Sequence, residues 1–84
     1  MATKFPKGTS QGEYKGHPMV LFGDEAKPPQ FGKGKATAIV ALADAGVDAE
    51  VIRAVAVGFG IRKVAKVDAT LIVDGARALV SAAA

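Results

Sequence analysis

Glycine and proline are spread so unevenly along this chain that they divide it in two. The first 35 residues hold all four prolines (Pro6, Pro18, Pro28, Pro29) and six of the ten glycines (Gly8, Gly12, Gly16, Gly23, Gly32, Gly34). Proline fixes φ and lacks a donor N–H, and glycine loses the most backbone freedom on ordering, so no long helix can cross such a segment. Charge follows the same division. Residues 1–35 carry Lys4, Lys7, Lys15, Lys27, Lys33 and Lys35 against Glu13, Asp24 and Glu25, whereas residues 36–84 carry five cations and five anions. The whole net charge of +3 therefore belongs to the first part. The chain reads as an extended basic arm over 1–34 and a compact Ala/Val-rich body over 35–84.

The arm contains one strand signal, the apolar run Pro18-Met19-Val20-Leu21-Phe22, closed by Gly23-Asp24. Pro18 suits the first residue of a strand or an edge strand. Lys27-Pro28-Pro29 favours extended, polyproline-like backbone. Phe5, Tyr14, Phe22 and Phe31 are spaced along the arm between lysine-rich segments. Such anchors suit a strap laid over a surface, either the chain's own body or a neighbour's.

The body opens with two helix signals. Lys35 to Ala45 is rich in helix formers and stops at Gly46, a favoured residue just past a helix end. Asp48 supplies an N-cap, Glu50 lies in the first turn, and Val51, Ile52, Val55 and Phe59 recur at helical spacing up to Gly58 or Gly60.

The last segment admits two readings. Ala65, Val67, Ala69, Leu71 and Val73 alternate with Lys66, Asp68, Thr70 and Ile72, and Asp74-Gly75 follows. An Asp-Gly pair between apolar runs signals a two-residue hairpin, here pairing Val73 with Ala76, Leu71 with Ala78 and Ala69 with Val80. The competing helix has Asp68 as cap and Leu71, Ile72, Ala76, Leu79 and Val80 on one side, with Gly75 in its interior at a cost of ~1 kcal/mol. The β-branched Val67, Thr70, Ile72 and Val73 favour the hairpin. The expected fold is thus a small single α+β domain: an extended N-terminal arm with a short strand near 18–22, helices near 35–45 and 48–58, and a C-terminal hairpin near 64–73 and 76–81. The sequence does not decide which hairpin strand lies at the sheet edge; if it is the one from Ala76 to Val80, Arg77 alone guards it and the edge is open to strand addition.

Several function classes are excluded. A composition of 50% hydrophobic residues does not suit a disordered chain. Zero cysteines remove disulfide scaffolds, zinc ribbons and thiol chemistry, and a lone His17 cannot build a histidine-rich metal site. No run approaches the ~20 apolar residues needed to span a bilayer, and no secretory leader is seen, so neither a membrane nor export is expected. Gly32-Lys33-Gly34-Lys35-Ala36-Thr37 looks like a phosphate cradle, yet its glycine spacing is not that of a P-loop and Pro28-Pro29-Gln30 stands where a strand is required. The acids Asp24, Glu25, Asp44, Asp48 and Glu50 lack the alternating spacing of a calcium loop. Without a nucleophile, base and orienting group, neither an enzyme nor a cofactor is expected.

Two functions remain. The first is a non-enzymatic structural or accessory protein, for example a subunit of a virus-like shell, binding a protein partner or a second copy through Phe5, Tyr14, Phe22 and Phe31. Its location would be the cytoplasm or a larger assembly such as a virion. A thin core supports this reading, since much of the apolar content is alanine and small cores often borrow surface from a partner. The second is a helix-turn-helix or winged-helix DNA-binding regulator threaded over Glu50 to Val67, with Arg62, Lys63 and Lys66 on a recognition helix. Against it stand Arg53 at a position expected to be apolar, a neutral body, and an alternation that would put Arg62 and Lys66 on one strand face and Lys63 on the other. Sequence-specific DNA binding is therefore not expected.

Overall fold

A three-stranded antiparallel sheet comes first along the chain and three helices follow it, as given for residues 5–83 by a computed structural model. Lys4, counted in the basic arm, lies outside the described residues. The strands β1 (Thr9–Tyr14), β2 (His17–Phe22) and β3 (Gln30–Gly32) form a meander with β2 in the centre. Helices α1 (Lys33–Asp44) and α2 (Ala49–Gly58) precede a 3-10 turn (Arg62–Lys66) and the 15-residue helix α3 (Ala69–Ala83).

The arm of the sequence reading is this sheet. Pairing runs from Thr9 opposite Phe22 to Tyr14 opposite His17. Lys15 and Gly16 close the hairpin, both with positive φ (51° and 82°), the backbone twist that a two-residue connection requires. Thr-Ser-Gln-Gly-Glu-Tyr has no apolar alternation of its own, so β1 exists by pairing with β2. Only a short link, residues 23–29, separates β2 from β3, and Val20 faces Phe31 across that pair.

Val20, Phe22 and Phe31 are buried with Ile39, Ile52, Val64, Ile72 and Leu79 in one cluster. The rings of Phe22 and Phe31 lie 5.4 Å apart. Full burial of one such side chain contributes ~1.5–3 kcal/mol. The β2 residues Met19 and Leu21 point the other way and lie over Gly32 and Gly12, where an added Cβ would meet them.

The C-terminal hairpin expected from Asp74-Gly75 is not formed. Residues 69–83 are helical, so the order of elements is strands first and helices last, opposite to the expected fold. Asp68 starts α3, its Oδ1 accepting from the amides of Thr70 (2.9 Å) and Leu71 (3.3 Å). Ala69, Ile72, Ala76 and Leu79 then fall on one buried stripe. Gly75 makes no turn. It sits where α3 crosses the sheet, and a Cβ there would lie 2.9 Å from Phe22 Cε1 and 3.3 Å from Val20 Cγ2. Close approach of helix to strand explains the glycine, and burial against three neighbouring elements overrides the β propensity of Thr70, Ile72 and Val73. With α3 in place, no strand exists at Ala76 to Val80, and the outer strands of the sheet are β1 and β3.

The other helix ends follow local rules. Gly46 (φ 86°) terminates α1 and donates to the Ala43 carbonyl at 3.0 Å. Asp48 caps α2 by accepting from the Glu50 amide at 2.8 Å. Arg77 of α3 and Asp44 of α1 pair across the surface at 2.8 Å. No helix among the described residues is long and apolar enough to cross a membrane.

Candidate functional site

Two surfaces stand out, and both flank the joint between α2 and the 3-10 turn. The first is the outward side of α2. Of the ten residues in this helix only Glu50 and Arg53 are polar, so it is apolar almost all round. Ile52 and Ala56 are buried inward. Val51, Val55 and Phe59 recur at four-residue spacing on another side, forming a ridge at whose ends Val51 is 52% and Phe59 41% exposed. Exposed Ala54 and Gly58 form a shallow furrow beside it. A helix apolar on every side is ordinarily covered on every side. Glu50 and Arg53 pair with each other at the flank, and Arg53 Nη1 also donates to the Val67 carbonyl at 3.3 Å. That contact accounts for an arginine where a helix-turn-helix would carry an apolar residue.

The second surface is a basic trough between the β2–β3 link and the 3-10 turn. One stretch, about 420 Å³, is floored by Phe22, Pro29, Val67 and Leu71 and rimmed by Glu25, Lys63, Lys66 and Asp68. An adjoining stretch of about 320 Å³ is bounded by Lys27, Pro28, Pro29, Gly60, Arg62 and Lys63, with no acidic residue. Pro29 and Lys63 belong to both. Lys63 Nζ donates to the Lys27 carbonyl at 2.8 Å, clasping the link to the turn.

The residues singled out in the sequence separate accordingly. Phe22 (3% exposed) and Phe31 (1%) are core residues on the inner face of the sheet, and Phe5 is half-buried against the same core. They anchor the chain to itself. Tyr14 alone of the four is largely exposed, at the hairpin tip, with Lys15 Nζ 5.4 Å from its ring centre. Arg62, Lys63 and Lys66 are not on a recognition helix, because five residues of 3-10 turn replace it. Nor are they split between two strand faces: all three are exposed on that turn around buried Val64. The helix that follows, α3, is the most enclosed in the fold, and its exposed stripe of Thr70, Asp74, Arg77 and Ser81 carries a single cation, itself paired with Asp44.

Sequence reasoning missed Val51, Phe59 and Lys27. The first two carried a readable signal, since α2 has more apolar residues than one buried side needs. Lys27 carried none. It meets the turn only through a contact spanning 36 residues.

Comparison with protein-family models, curated proteins and solved structures finds no match for the chain. Among the described residues no group of three potential metal-ligating side chains converges.

Proposed function

We propose that this chain is a non-enzymatic assembly module that joins a second copy of itself through the outward side of α2. The observation that carries the reading is the exposure of Val51, in a helix with only two polar residues, and of Phe59 at its C-terminal cap. The surface is self-complementary in shape: the Val51-Val55-Phe59 ridge of one copy fits the furrow at Ala54 and Gly58 of the other, the usual packing of helix ridges into grooves. It is also self-complementary in charge. Asp48 and Glu50 stand at the N-terminal end of the ridge and Arg62 follows its C-terminal end, so an antiparallel crossing brings unlike ends together. A two-fold interface of this kind uses the same patch on both copies.

Sedimentation equilibrium over a wide concentration range tests the reading. The expected result is a monomer–dimer equilibrium that Val51→Glu shifts to monomer while helix content is unchanged. Glu is a good helix former and favourable in a first turn, so the variant keeps α2 intact. A wild-type chain that stays monomeric to millimolar concentration overturns the proposal.

A further inference from the structure

The trough offers a second surface, which shares only Arg62 with the proposed α2 contact. We infer that it is a track for the phosphodiester backbone of nucleic acid, bound without regard to base sequence. Four exposed cations line it: Lys27, Arg62, Lys63 and Lys66. In 3-10 geometry residues three apart eclipse, so Lys63 and Lys66 stack on one side about 6 Å apart along the axis. Two of the four cations thus follow one line along the turn, with Arg62 beside them and Lys27 on the facing bank, which suits an extended polyanion better than one small ion. The Lys27–Lys63 clasp fixes the two banks of the trough relative to each other. Against the four cations stand two rim acids, Glu25 and Asp68, the latter also holding the start of α3, so cations outnumber anions along the trough. Phosphate contacts position a protein on nucleic acid but carry no sequence information. The cations of the trough sit on a loop and a five-residue 3-10 turn rather than on a helix that could enter a groove and read bases, hence the expected indifference to sequence.

The test is fluorescence anisotropy of the full chain with labelled 20-mers of scrambled sequence, duplex and single-stranded, between about 50 and 200 mM salt. Four phosphate contacts predict a log–log salt slope of about −3.6 on duplex and about −2.8 on single strands. On duplex that is a loss of about a hundredfold over the range. Lys27→Gln with Lys66→Gln should reduce the duplex slope by about 1.8, whereas Lys15→Gln with Lys35→Gln, away from the trough, should leave it unchanged. Both pairs are exposed, and circular dichroism checks that each stays folded. The inference is overturned by no binding at 50 mM salt, or by equal slope changes in the two pairs, which would mean diffuse attraction. It is also overturned if polyglutamate or anionic vesicles bind more tightly than either nucleic acid. A sequence preferred by ~10³-fold over random would overturn the sequence-neutral reading.

Discussion

Gly75 of α3 and Phe22 of β2 touch where the last helix crosses the sheet, and the missing methyl is what allows the crossing: a Cβ at Gly75 would stand 2.9 Å from Phe22 Cε1 and 3.0 Å from Cζ. Phe22 cannot yield freely, because its ring is buried against Phe31. Gly75→Ala gains ~1 kcal/mol of helix propensity but overpacks a closed core, which costs ~1–3 kcal/mol. The expected net is a loss of ~1 kcal/mol in urea denaturation. Gly34 in the first turn of α1 is the contrast, with nothing within 4 Å of an added Cβ. Gly34→Ala should stabilise by ~0.4–1 kcal/mol. Equal effects at the two positions would remove the packing explanation for Gly75.

Phe22→Ala or Phe31→Ala should destabilise the isolated chain by ~3–5 kcal/mol, a large part of the ~4–12 kcal/mol available to a domain of this size. Tyr14→Ala should change stability by less than ~0.5 kcal/mol, since the ring is 59% exposed. Thermal unfolding of the three variants separates core from surface. If all three prove neutral for stability, the two phenylalanines do not have the core role assigned here.

Asp68→Ala should cost ~1 kcal/mol and shorten α3 at its start, because two amides lose their acceptor. Asp68→Asn should be nearly neutral, as asparagine caps as well as aspartate. Amide hydrogen exchange at Thr70 and Leu71 reports the loss locally. Backbone chemical shifts should show unbroken helix across Asp74-Gly75 in the wild-type chain.

If α2 pairs with its copy, the melting temperature should rise with protein concentration, as it does for any state stabilised by association. Phe59→Ser and Val51→Glu should each abolish that dependence. Glu50→Lys should weaken it, since the substituted ends would then repel. A concentration-independent melting temperature for the wild-type chain, beside soluble folded protein, is the contrary outcome.

What was legible in the sequence was what local chemistry decides. Gly46 and Asp48 bracket the joint between α1 and α2, and Gly23 closes the strand begun at Pro18, because a cap or a breaker acts on its own neighbours. What was hidden depended on distant residues. The strand Thr9–Tyr14 is polar and forms only against β2, across the turn at Lys15-Gly16. Asp74-Gly75 looks like a turn until Phe22, 53 positions earlier, is brought against it. The same gap misplaced the functional residues. Phe22 and Phe31 resemble free anchors only when the arm is taken as a strap, and become core once it is a sheet. Arg62, Lys63 and Lys66 are exposed on a 3-10 turn instead of the recognition helix expected for them, and their companion Lys27 comes from the other bank of the trough, beyond the reach of any local pattern.

The order of strands before helices has a consequence for synthesis. The inner face of the sheet, with Val20, Phe22 and Phe31, leaves the ribosome before the residues of α3 that cover it. At ~5–20 residues per second the gap lasts a few seconds. During that interval the nascent meander exposes its most apolar surface, with no third helix to cover it. A ribosome stalled anywhere between Gly32 and Ala69 would therefore release a fragment fit for chaperones or proteases rather than a partly working protein. Completion of α3 acts as the quality check on everything translated before it.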